Sequence, residues 1–183
     1  MKPVSSNKES QLALYLAREG LKHYLRYEKY LEPPEEMPPL FYTKRGTFVS
    51  LKEKDDNLRG CIGTLEATQN NLAQEIIQNA VSAGVRDPRF PPVKLTELDD
   101  IKVSVDIISP LEKVSGLDQL DPSKYGLVVE KGYRRGVLLP DLEGINTPKE
   151  QLAISAQKAG LSPSDSNLTL YRFEVTRFHE TAS

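Results

Sequence analysis

Hydrophobic residues recur at helical spacing in the first part of the chain. The spacing predicts an amphipathic helix over about residues 7–31, with Gly20 as a weak point inside it. Ser6 and Glu9 have the spacing of a capping box, which predicts that the helix begins after Ser6. The expected apolar positions are Leu12, Tyr15, Leu16, Tyr24, Leu25 and Leu31.

A proline-rich segment follows the predicted helix. Residues 32–39 contain four prolines, which can neither continue a helix nor pair inside a sheet. We therefore expect an extended connector that serves as a spacer. The alternative is a ligand for a proline-recognition domain.

Two later segments resemble each other. Residues 59–84 and 135–160 align without a gap, and each begins with Arg-Gly and ends with Ala-Gly. Each follows a β-rich run with a turn, and each precedes an alternating strand. We predict two strand–strand–helix–strand repeats, over about residues 47–109 and 126–178. Chance similarity is the alternative explanation of the identities.

Residues at the ends of the two segments predict where the helices begin and end. Asn71 and Thr147 suit N-caps, and Gly84 and Gly160 suit left-handed residues at helix ends. The strands that follow would each share one buried face, formed by Ile101, Val103, Val105 and Ile107 in the first and by Tyr171, Phe173 and Val175 in the second. These elements predict an α+β fold with mixed or antiparallel sheets covered by helices.

Composition narrows the function classes. The chain has 183 residues, and 24 basic against 26 acidic side chains leave a net charge of −2, which argues against nucleic acid as a partner. The basic cluster at 131–136 is typical of a solvated turn. A single cysteine and two histidines argue against a disulfide and a zinc site. No apolar run is long enough to span a membrane, so we expect a soluble, cytoplasmic protein. The glycines form no GxGxxG or P-loop motif, and we expect no cofactor.

The strand around Cys61 is the first candidate site. Simple alternation places Arg59, Cys61 and Gly63 on one face, and the glycines Gly60 and Gly63 indicate a bulge or a close approach. In the second repeat, Leu139 occupies the position of Gly63. We infer a pocket over Gly63, with Cys61 in its wall.

The chemistry of Cys61 has two interpretations. A nucleophilic thiolate would be favoured by the charge of Arg59 and would need a base, for which His23 and His179 are available. The alternative is a small buried side chain that is inert because burial raises its pKa.

The segment from Arg86 to Phe90 is the second candidate site. Pro88 stiffens a loop that displays Arg86, Asp87, Arg89 and Phe90. Such a loop suits binding of a carboxylate, a phosphate or a base. The structural alternative is an internal Asp–Arg pair, with Phe90 inserted into the core.

Several motifs together resemble the AMMECR domain family. They are Leu58–Thr64, Asp87–Phe90, Glu97-Leu98, Tyr125–Leu127, Leu138–Pro140 and Lys158–Gly160, in the expected order. The resemblance covers about residues 10–178. The sequence is similar to the prokaryotic branch of the family, whose members are labelled protein A of the AmmeMemoRadiSam system. It implies a single AMMECR-type domain over residues 1–183, with a larger and a smaller lobe.

The resemblance also implies candidate residues and partners. The suspected functional residues are Arg59, Gly60, Cys61, Ile62 and Gly63, and the implied partners are a radical SAM enzyme and a Memo-like protein. Our first hypothesis is a site for an anionic or electrophilic small molecule, with or without catalysis, formed by Cys61, Arg59, Gly60, Gly63 and the 86–90 loop. The alternative is an accessory module without chemistry of its own.

Overall fold

A computed structural model describes residues 7–180, which form two compact units. Within that range, unit 1 comprises residues 7–108 and 176–180, and unit 2 comprises residues 109–175. The regular elements are α1 (Asn7–Tyr27), β1 (Thr47–Glu53), β2 (Leu58–Thr64), α2 (Leu72–Val85), β3 (Ile101–Ile108), β4 (Glu112–Val114), β5 (Gly126–Lys131), β6 (Arg134–Leu138), α3 (Pro148–Lys158), β7 (Thr169–Phe173) and β8 (Val175–His179). Short 3-10 helices lie at Pro39–Tyr42, Leu95–Asp100 and Leu117–Gln119.

The strands form two four-stranded sheets, which confirms the α+β class. Sheet 1 has the order β2-β1-β3-β8, and sheet 2 has the order β4-β7-β5-β6. In each sheet a hairpin is followed by a helix and then by a strand that pairs with the first strand of the hairpin. No helix within residues 7–180 is long and apolar enough to cross a membrane.

The core of unit 1 lies between one face of sheet 1 and the helices α1 and α2. The four predicted β3 residues are all buried, which confirms their shared face. Gly20 allows α1 to approach α2, because a Cβ there would lie 3.2 Å from the Ile77 side chain. Gly84 lies inside α2 without a positive φ, so its prediction as a left-handed end residue was wrong. A Cβ at Gly84 would lie 2.5 Å from Leu21.

The first helix is shorter than predicted. It ends at Tyr27, and Glu28 adopts a left-handed φ of 54°. The expected apolar position Tyr15 is 51% exposed, whereas Leu31 packs against the core from outside the helix. The proposed N-cap, Ser6, lies outside the described residues.

The remaining helix ends follow the prediction. The side chains of Asn71 and Thr147 accept hydrogen bonds from backbone amides three residues later and cap α2 and α3. Gly160 follows α3 with a φ of 66°. Both caps and this glycine are therefore confirmed.

The last predicted strand is two strands. Strand structure is interrupted at Glu174, so β7 of sheet 2 ends at Phe173 and β8 of sheet 1 begins at Val175. The Glu174 amide donates to Ser109 Oγ, and the Glu174 carbonyl accepts from the Ser109 amide. Tyr171 and Phe173 therefore share a strand, but the expectation that Val175 joins them was wrong.

Candidate functional site

The glycine before Cys61 lies directly under a helix. A Cβ at Gly60 would lie 2.2 Å from the backbone oxygen of Ala83 in α2, so the close approach of helix and strand requires glycine there. Gly60 is paired with Leu51, which belongs to the core. Cys61 follows Gly60 and is paired with Ser50 on the opposite face of sheet 1.

Arg59 lies at a bulge in β2. Leu51 pairs with Gly60 whereas Lys52 pairs with Leu58, so Arg59 is the extra residue and simple alternation fails there. The guanidinium of Arg59 donates from Nε to Glu97 Oε1 at 3.0 Å and from Nη1 to the Pro91 carbonyl at 3.0 Å. Because of the bulge, strand alternation no longer places Arg59 beside Cys61. The arginine whose charge acts on the pKa of the thiol is Arg89.

The pocket expected over Gly63 does not exist. Gly63 is paired with Phe48, and a Cβ at Gly63 would lie 2.2 Å from the Phe48 ring. An aromatic side chain that covers a cross-strand glycine fills the space left by the missing side chain. The inference from Leu139 was wrong because the neighbouring strand supplies the missing volume.

The 86–90 loop covers the open edge of β2 at Cys61. Asp87 is 4% exposed, and its Oδ2 accepts the backbone N–H of Cys61 at 2.9 Å. Arg89 donates from Nε and Nη2 to Asp87 at 2.9 and 2.7 Å, and from Nη2 to the Cys61 carbonyl at 3.3 Å. The guanidinium of Arg89, together with the backbone amides of Cys61 and Arg89, holds the pKa of Asp87 well below its usual range. The Asp–Arg pair of the structural alternative is therefore present, but Arg89 is exposed and Phe90 is not part of the core, so the alternative holds only in part.

The other residues of this loop point in different directions. Arg86 donates to the hydroxyl of Tyr30 at 2.8 Å, and its guanidinium lies 5.8 Å from the ring centre of Tyr24. Phe90 is half-buried and lies 5.5 Å from the Arg89 guanidinium. Arg86 therefore belongs to an aromatic group around the end of α1, whereas Arg89 belongs to the Cys61 site.

The thiol of Cys61 is half-buried, and its pKa is raised. Burial raises its pKa, and this effect outweighs the opposing effects of Ser50 and Arg89. The hydroxyl of Ser50 donates to Sγ at 3.1 Å. Nothing in this setting produces the low thiol pKa that activates a nucleophilic cysteine.

Neither histidine approaches Cys61. Sheet 1 places β8, which contains His179, three strand spacings from β2, or about 14 Å. His179 lines a groove of about 980 Å³ that also contains Arg18 and Glu180. His23 lies on α1, where its ring centre is 4.9 Å from that of Tyr27. A Cys–His pair is therefore absent from residues 7–180.

The sequence did not predict that four polar residues lie near Cys61, namely Ser50, Ser104, Asp106 and Arg177. Ser50 pairs with both Cys61 and Ser104, so three small polar side chains form a row across β2, β1 and β3. In the neighbouring row, Arg177 donates to Asp106 at 2.7 and 2.8 Å. The alternation of β1 and β3 would have indicated this polar face. Among the described residues, no cluster of His, Cys, Asp and Glu side chains could hold a metal ion.

Comparison with known proteins identifies the family. The AMMECR1 family model matches residues 14–178. The chain belongs to the AMMECR1 family. A protein of Thermotoga maritima is 52% identical, over 86% of this chain and 91% of its own length. An uncharacterised protein of Pyrococcus horikoshii has a crystal structure with a TM-score of 0.84 and 36% identity, covering 93% of this chain and 91% of that one.

A longer relative adds one fact about the AMMECR1 family. A protein of Clostridium acetobutylicum is 45% identical over 97% of this chain, but the match spans only 38% of that protein. An AMMECR1 sequence therefore also occurs as part of a much longer polypeptide.

The segment Arg59–Gly63 combines packing residues with one half-buried thiol. Arg59 is ion-paired, Gly60 contacts α2, Ile62 packs against the core and Gly63 is covered by Phe48. Each of these four roles concerns the stability of unit 1. Cys61 differs, because its half-buried side chain belongs to the polar face.

Proposed function

We propose that the face of sheet 1 around Cys61 binds a small anionic ligand, with Arg89 as the charged contact. The side chain of Arg89 is 56% exposed although Asp87 and the Cys61 carbonyl fix two of its guanidinium nitrogens. Its Nη1 makes no hydrogen bond to any residue between 7 and 180. A guanidinium that is already held in place loses little conformational entropy when it binds a carboxylate or a phosphate.

Cys61 contributes to this site as a neutral thiol. Because burial raises the pKa of the thiol, the proposal is one of binding, and attack on an electrophile is the competing outcome. Ser50 already donates to Sγ, so the S–H group of Cys61 is available as a weak donor to a ligand.

Alkylation of Cys61 tests the proposal directly, because this is the only cysteine in the sequence. Its rate with iodoacetamide is measured against pH in the native and the unfolded protein. We expect the native thiol to react more slowly at pH 8, with an apparent pKa above the ordinary value of about 8.5. A native thiol that reacts faster than the unfolded one below pH 8 would support the nucleophile instead.

Protection from alkylation identifies the charged contact. Inorganic phosphate, pyrophosphate and citrate are titrated against the native rate. We expect at least one of them to protect Cys61, and we expect Arg89→Ala to abolish this protection. Arg86→Ala is the matched control, because Arg86 lies in the same loop but contacts Tyr30. Protection by none of the anions, or equal protection in both variants, contradicts the proposal.

The second candidate function is an accessory module that docks onto a radical SAM enzyme and a Memo-like protein. The relative from Clostridium acetobutylicum supports it, because there the matching sequence is covalently joined to a further, longer segment of the same polypeptide. Co-expression of the three proteins from one organism, followed by size-exclusion chromatography, tests this function. A shared elution peak supports docking, and three separate peaks of folded proteins at micromolar concentration contradict it.

A further inference from the structure

The helix α3 of unit 2 carries two buried polar side chains, each with an oxygen that forms no hydrogen bond to a described residue. Gln151 and Ser155 on α3 are both fully buried. Gln151 Nε2 donates to the Tyr125 carbonyl at 2.7 Å. Gln151 Oε1 and Ser155 Oγ have no hydrogen-bond partner among the described residues. One helical turn separates the two residues, so both side chains lie on the same face of α3.

The corresponding positions of α2 show how such a pair is normally satisfied. In the ungapped alignment of residues 59–84 with 135–160, Gln151 corresponds to Glu75 and Ser155 to Asn79. Glu75 accepts hydrogen bonds from the hydroxyl of Thr64 at the end of β2, and from the hydroxyl of Thr68 and the backbone amides of Thr68 and Gln69 in the loop before α2. Asn79 donates to the Thr47 carbonyl at 2.9 Å. In unit 1, protein groups therefore satisfy the pair.

The surroundings of Gln151 and Ser155 restrict what could satisfy them. Ala156, which adjoins Ser155, belongs to an apolar cluster that includes Leu127 and Val129 of β5. An ion among neutral oxygens and aliphatic side chains would be an uncompensated buried charge. Native proteins commonly satisfy such isolated neutral groups with internal water.

We propose that unit 2 encloses an internal water molecule that bridges Gln151 Oε1 and Ser155 Oγ. The water donates to Gln151 Oε1 and forms a second hydrogen bond with the Ser155 hydroxyl. Side chains at this spacing are neighbours on one helix face, so one water molecule can reach both oxygens with hydrogen bonds of about 2.8 Å. The water would replace in unit 2 the loop and strand contacts that satisfy Glu75 and Asn79 in unit 1.

Magnetic relaxation dispersion of water ¹⁷O tests this site by counting long-lived internal waters. We expect the variant Gln151→Met/Ser155→Ala to hold one such water fewer than the unchanged protein. Ser82→Ala on α2 is the control, because its hydroxyl only accepts a long hydrogen bond from the exposed Arg86. An equal number of long-lived waters in the double variant and the unchanged protein overturns the proposal.

Two further measurements keep the test independent of the double variant. Ser155→Ala should lower Tm relative to Ser82→Ala by about 3 °C, because it removes a satisfied hydrogen bond. A Tm above that of the control overturns the proposal, since removal of an unsatisfied hydroxyl is stabilising. In a high-resolution crystal structure of the unchanged protein, density within about 3.2 Å of both oxygens supports the site. Direct hydrogen bonding between the two side chains without such density overturns it.

Discussion

Replacing Asp87 with alanine removes the carboxylate that holds the edge of β2 at Cys61. The Cys61 amide then loses a hydrogen bond to a charged acceptor, at a cost of about 1.5–3 kcal/mol. The ion pair with Arg89 contributes at most about 1 kcal/mol, because that arginine is 56% exposed. We therefore expect Asp87→Ala to lower the free energy of unfolding by about 1.5–4 kcal/mol at pH 7.

The loss should depend on pH with a definite sign. The pKa of Asp87 is lowered in the folded state, so its stabilisation is complete above the unfolded value of about 3.9. It is lost as the pH falls through the folded-state pKa. The difference in stability between the variant and the unchanged protein should therefore shrink once the pH falls below about 4.

Urea unfolding combined with amide hydrogen exchange measures this effect globally and locally. The Cys61 amide should exchange faster in Asp87→Ala, whereas amides of unit 2 should not change. Arg89→Ala is the matched control and should cost about 1 kcal/mol or less, because it leaves the carboxylate on the Cys61 amide. An unfolding free energy within 0.5 kcal/mol of the unchanged protein, roughly the ordinary surface effect, together with unaltered Cys61 exchange, would refute the reasoning.

Three other substitutions test the packing around this strand. Gly60→Ala should destabilise the protein by about 3 kcal/mol in urea unfolding, because its Cβ meets backbone of α2; a neutral result would contradict the contact. Gly63→Ala should also destabilise, and the loss should be smaller in a Phe48→Ala background; strictly additive losses would disprove the ring contact. Arg59 lowers the pKa of Glu97, so Glu97→Gln should destabilise at pH 7, with the difference closing as the pH falls below about 4.3; a pH-independent difference would exclude this ion pair as its cause.

Local sequence signals predicted the elements better than the site. The caps at Asn71 and Thr147 and the alternation of β3 depend on neighbours within a few residues, so the sequence predicts them directly. The break at Glu174 depends on hydrogen bonds to Ser109, far away in the chain. The end of α1 at Glu28 carries no glycine or proline signal.

The features of the site that the sequence did not predict are determined by residues on neighbouring strands. The ring over Gly63 comes from β1, and the bulge at Arg59 is visible only in the register between β1 and β2. The Asp–Arg pair was foreseen as an alternative, but its attachment to the Cys61 backbone required knowledge that β2 is an edge strand. The sequence thus indicated two segments that lie together in the structure, the strand around Cys61 and the 86–90 loop, but not the contacts between them.

The nested position of unit 2 has a consequence for synthesis on the ribosome. Sheet 1 is completed by β8, which follows all of unit 2 in the chain. The ion pair between Arg18 of α1 and Glu180 likewise joins the first segment of unit 1 to residues that are translated after unit 2. Unit 2 is continuous and can fold while translation proceeds, whereas unit 1 exposes an incomplete sheet until the last strand emerges. A stop codon before residue 176 would therefore damage the unit that was translated first.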